Sequence, residues 1–86
     1  MKIMKITLTP PDEDGKMKCF TDFNPIEHAD LIDAIEDIDI QVEEIGLCTQ
    51  GGPYTGFIIF PAMEDLYDMY RIGLELERLG FKTEIP

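Results

Sequence analysis

Gly56-Phe57-Ile58-Ile59-Phe60-Pro61 sets four large apolar residues between two breakers. A run of that length and character fits a strand buried on both faces, and we take it as the central strand of the fold. With 86 residues the chain can bury one modest core, so the flanking segments must pair with this strand or pack over it. Phe57 and Ile59 point away from Ile58 and Phe60. One of these pairs therefore needs a cover, supplied by an extra strand, a second copy of the chain or a partner.

Upstream, Lys2 to Thr9 alternates Met4, Ile6 and Leu8 against Lys5, Thr7 and Thr9, the period of a strand with one wet face. Pro10-Pro11 stops it, and Asp12 to Gly15 is turn chemistry. Lys16 to Phe23 is then either an extra strand beside the first or an irregular connection. Met17, Cys19, Phe20 and Phe23 need burial, which favours the strand. Asn24-Pro25 followed by Glu27 starts a helix that ends near Asp37, with His28, Leu31, Ile32, Ile35 and Ile38 inward. Phe23 before the cap is placed to pack on His28 as a hydrophobic staple.

Ile38, Ile40 and Val42 alternate onward and Ile45 and Leu47 continue in the opposite phase, so a bend at Glu43-Glu44 precedes or interrupts the second strand. Gln50-Gly51-Gly52-Pro53 predicts a hairpin into the central strand. Met63 to Leu79 has helical spacing, with Leu66, Met69, Ile72, Gly73, Leu76 and Leu79 on the core side. Gly80 ends it, Phe81 folds back on Leu76, and Lys82 to Ile85 makes a last strand.

The order strand, helix, strand, strand, helix, strand resembles an α+β ferredoxin-like βαββαβ sandwich. There an antiparallel sheet carries two helices on one face; here a strand is added after the first. The resemblance covers the whole chain as one domain, 1–86, and does not fix function. Acylphosphatases resemble this architecture but require an arginine after the first strand, and Pro10 to Asn24 has none. Metal-carrying domains of this shape use paired cysteines there, whereas Cys19 stands alone, with His28 and Cys48 at no ligand spacing. Gly56 to Phe60 looks like the second half of the aromatic strand signature of RNA-recognition motifs, but Pro53, Tyr54 and Thr55 do not supply its first half. No nucleophile, base and orienting group assemble from the sequence. We read a non-enzyme without cofactor or metal.

Charge is the functional clue. The net charge of -11 argues against direct nucleic-acid or membrane binding and favours a basic protein partner. No run approaches the roughly 18 apolar residues of a membrane span, no secretory pattern opens the chain, and Cys19 and Cys48 read as reduced thiols. The expected location is the cytoplasm. Glu27, Asp30, Asp33, Glu36, Asp37, Asp39, Glu43 and Glu44 lie between Pro25 and Glu44 with no lysine or arginine among them. They form either a solvated face or a docking surface for a basic, nucleic-acid-binding protein, with carboxylates standing in for phosphates. Met63, Tyr67, Tyr70 and Leu74 form a second helical seam, either packed on the neighbouring helix or available to a partner or a homodimer. The favoured function is a small acidic protein-interaction module acting as a DNA mimic and inhibitor. The runner-up resembles an ACT regulatory domain with a small ligand beside Pro10 to Asn24 or at a dimer interface.

Overall fold

A computed structural model describes residues 4–49 and 52–85. The described residues form a small α+β domain with a five-stranded mixed sheet and two α-helices. In chain order these are β1 (Lys5–Thr7), β2 (Met17–Thr21), a 3₁₀ turn (Pro25–His28), α1 (Ala29–Asp37), β3 (Glu44–Leu47), β4 (Gly56–Phe60), α2 (Leu66–Arg78) and β5 (Lys82–Glu84). The strands run β3-β4-β2-β1-β5. Every neighbouring pair is antiparallel except β1 with β5, which are parallel.

The middle strand is β2, not Gly56–Phe60. Five residues of β2 pair with β4, from Met17 opposite Phe60 to Thr21 opposite Gly56, and its other edge pairs with β1. The segment expected as an addition beside the first strand thus joins the two halves of the sheet. It earns that position chemically: Met17, Cys19 and Thr21 are fully buried, and the Thr21 hydroxyl, lodged in the core, donates to the Phe23 carbonyl at 2.7 Å. A turn held by Asp12, whose carboxylate accepts from the amides of Asp14 and Lys16, connects β1 to β2. Gly15 takes φ +74° and its carbonyl accepts from the Met63 amide at 2.8 Å, so the turn is tied to the chain leaving β4.

Both helices pack on one side of the sheet around a single core that includes Ile6, Leu8, Cys19, Ile35, Ile58, Phe60, Ile72 and Leu76. Burying this set against both helices is the chief driving force of the fold, at about 1.5–3 kcal/mol per large side chain. Gly56 lets Pro25 sit directly on β4: a Cβ there would lie 2.4 Å from the proline ring and 2.7 Å from the Gly46 carbonyl. Gly80 (φ +104°) closes α2, with the Phe81 amide reaching back to the Leu76 carbonyl at 3.1 Å as expected of a glycine helix end.

Several expectations move. The first helix opens as a 3₁₀ turn capped by Asn24, whose side chain accepts from the Ile26 amide at 2.9 Å, and becomes α-helical only at Ala29. Ile38 follows α1 and is exposed. The second helix begins at Leu66, because the Asp65 side chain caps the Tyr67 amide, so Leu66 lies on the exposed first turn and not in the core. Thr7 is buried on the side expected to be wet. Gln50 and Gly51 of the expected hairpin turn lie outside the described residues, but β3 and β4 do pair antiparallel, with Leu47 opposite Gly56.

Candidate functional site

The acidic residues of the first helical segment all face water. Glu27, Asp30, Asp33, Glu36, Asp37 and Asp39 are exposed, and none lies within 4 Å of a lysine, arginine or histidine nitrogen among the described residues. The contrast with α2 is chemical. There Asp68 pairs with Arg71 at 3.3 Å and Glu75 with Arg78 at 2.9 Å, while Glu77 accepts from the Thr83 hydroxyl. The Asp68 carboxyl is held below the usual range, first by the Glu64 backbone amide and then by Arg71. Two expected members leave the acidic group: Glu43 is bridged to Lys16 at 3.0 Å, which raises the lysine's affinity for its proton, and Glu44 lies on β3 opposite Ile59.

On α2 the outer seam is smaller and wetter than the spacing suggests. Met63 is buried, because the tie between its amide and Gly15 turns it into the core. Tyr67, Tyr70 and Leu74 remain on the surface at 73%, 54% and 60% exposure and are joined by Leu66. Exposed Tyr and Leu at this spacing suit an interface.

The side of the sheet away from the helices holds what the sequence did not disclose. Lys18, Phe20, Phe57 and Ile59 occupy facing positions on β2 and β4, each at least partly open to solvent. Tyr54 stacks on Phe20 with centroids 4.9 Å apart. The Phe57 ring lies over Gly46, where a Cβ would come within 2.6 Å of it. Lys18 Nζ stands 4.5 Å from the Phe57 centroid and 5.6 Å from that of Phe20. These groups, with Leu47 and Thr49, line an open cleft of about 500 Å³. Among the described residues Lys18 has no carboxylate within 4 Å, although the chain has 18 acidic residues and seven lysines and arginines.

The remaining reactive groups are built into the scaffold. Phe23 meets His28 edge-on at 5.6 Å, the expected staple, and His28 Nδ1 lies 2.8 Å from the Asn24 carbonyl. Both cysteines are free. Burial pushes the Cys19 thiol up to about 12, so it packs as a neutral apolar group. Among the described residues no three His, Cys, Asp or Glu side chains group as a metal site, and no helix is long and apolar enough to cross a membrane.

Phe20 was missed because its burial was expected with that of Met17 and Cys19, whereas strand alternation puts it on the Lys18 side, and Tyr54 because it reaches Phe20 from a loop. The chain matches no known protein family, no curated protein and no solved structure.

Proposed function

We propose that this protein is a non-enzymatic interaction module whose helical layer docks onto a basic protein surface, in the manner of an inhibitor that imitates nucleic acid. The observation that carries the reading is the set Glu27, Asp30, Asp33, Glu36, Asp37 and Asp39, unpaired among the described residues and on a segment without a lysine or arginine. Carboxylates at i, i+3 and i+4 repel by about 0.2–0.5 kcal/mol per pair, and α2 shows that this chain can neutralise helix carboxylates with arginines. Leaving them unpaired fits a surface whose complement is another molecule, with Tyr67, Tyr70 and Leu74 supplying apolar contact.

The scaffold reading that goes with this is an elaborated ferredoxin-like fold. Setting β1 aside, the remaining order β3-β4-β2-β5 is that of a split βαβ sheet, with α1 joining β2 to β3 across β4 and α2 joining β4 to β5. β5 runs parallel to β1 and so antiparallel to β2, as that arrangement requires.

The test is capture of a basic partner from lysate at low salt, then affinity measurement on the Asp30→Asn, Asp33→Asn, Asp37→Asn triple variant. The reading requires binding that weakens steeply with salt and is lost in the triple variant while thermal stability rises. Glu13→Gln, Asp14→Asn, Glu64→Gln is the control, since it removes the same charge at exposed, unbridged positions elsewhere. Equal loss in both triple variants would make net charge the determinant and refute a specific surface on α1.

A further inference from the structure

We infer that the open face of the sheet is a binding site for a single nucleotide, with the base stacked on Phe57 and Phe20 and the phosphate held by Lys18. This does not rest on the docking function of the helical layer, which lies on the other side of the sheet.

Three features of the cleft converge. It presents aromatic surface on a rigid support: Phe57 is laid down on Gly46 across the β3–β4 pair under the flexible Lys18 side chain, which must swing off the ring to meet a phosphate, and Phe20 is braced by Tyr54. Aromatic side chains on a sheet are sequence-tolerant platforms for bases, because every base has a π-face. Its volume, about 500 Å³, is in the range of small-ligand sites. Lys18, at the strand position that faces Ile59, supplies a cation without a carboxylate partner among the described residues. In so acidic a chain an unneutralised lysine over two rings is an anchor for an anion beside a flat ring system.

The charge of the whole molecule opposes a polyanion but discriminates less against one phosphate. Charges more than about 8 Å apart are largely screened at physiological salt, and the thinnest extent of the domain is 21 Å. On the open face Lys5 is bridged to Glu84 at 3.5 Å, and among the described residues the one charged side chain that lines the cleft is Lys18. A long single strand would have to pass the acidic remainder of the surface. One nucleotide would not.

The experiment is an amide chemical-shift titration with AMP, adenosine and ribose 5-phosphate, run on the native chain and on the Lys18→Met and Phe57→Leu variants, with melting curves to confirm that each is folded. We expect saturable shifts from AMP in β2, β4 and residues 47–49 and 52–55. Lys18→Met should weaken AMP about tenfold while leaving adenosine unchanged, and Phe57→Leu should weaken both by about tenfold. The inference is overturned if AMP shifts no amides in these segments at about 10 mM, a concentration that reveals even millimolar affinity. Equal AMP affinity in folded Lys18→Met also overturns it, as does a concentration-dependent dimer by light scattering that Phe57→Leu abolishes, since a second copy would then occupy the face. Binding of an oligonucleotide without binding of AMP likewise rejects a single-nucleotide site.

Discussion

The two sides of the β2–β4 ladder share one backbone and differ in everything else. On the helix side Met17, Cys19, Ile58 and Phe60 have no exposed surface; on the other, one residue along the chain in each case, Lys18, Phe20, Phe57 and Ile59 are open to solvent. Alternation alone sorts dry from wet, so a change of one position separates a residue that holds the fold from one free to serve a ligand. Each side also uses a glycine: Gly56 admits the Pro25 ring into the core, and Gly46 lets Phe57 lie flat on the surface.

The largest expected effect comes from pushing the same charge into each side. Ile58→Asp places an unpaired carboxylate in the dry core at a cost of several kcal/mol, against a total stability of about 5–15, and should abolish the cooperative melt. Ile59→Asp should melt cooperatively within a few degrees of the native protein. If the two variants behaved alike, the sidedness described here would be wrong. Next, Gly56→Ala should cost about 1–3 kcal/mol in chemical denaturation, because its Cβ meets the proline ring and a backbone carbonyl. Gly46→Ala should cost less, since there the Cβ meets the free end of a surface ring, which can swing away.

The cysteines extend the contrast to pH. Cys19 keeps its proton in the folded state up to about 12, while an unfolded thiol releases it near 9.0, the ordinary value. Between those limits the folded chain binds more protons than the unfolded one, so stability falls as pH rises, by up to about 1.4 kcal/mol per pH unit. Denaturation from pH 8 to 11 should show a steeper alkaline decline for the native chain than for Cys19→Ala. A thiol reagent at neutral pH should label half-buried Cys48 first and reach Cys19 only on unfolding. The smallest effect belongs to the outer layer: Asp30→Asn, Asp33→Asn, Asp37→Asn should raise stability by about 0.2–0.5 kcal/mol per relieved pair, and a fall would show that these carboxylates do structural work after all.

Period and punctuation made the two helices, the glycine end at Gly80, the Phe23–His28 contact and the β3–β4 pairing readable in the sequence. Position within the sheet was not readable. A strand with neighbours on both edges and a strand at an edge share the same alternation, and nothing in Met17 to Thr21 announces that both edges of its backbone are paired. The acidic surface was legible because charge is local in sequence. The aromatic cleft was not, because it assembles from Lys18 and Phe20 on one strand, Phe57 on the next and Tyr54 from a loop, brought together only by register. Met63 shows the same limit in miniature, since one backbone hydrogen bond to Gly15 moved it from the outer seam to the core.

The pairing of β5 with β1 bears on how the chain folds. The β1–β2 and β3–β4 hairpins close short loops, whereas β5 must return from the far end of the chain to lie along Lys5–Thr7, and β2 must find β4 across the whole of α1. Loop closure on that scale must be met before the contacts repay it, so folding should take milliseconds or longer, not the microseconds of a helical bundle of equal size. The same pairing is the one to open first. It is three residues long and lies at an edge, so in hydrogen exchange the amides of β5 should open well below the global unfolding free energy, while those of β2 should require the whole domain to unfold.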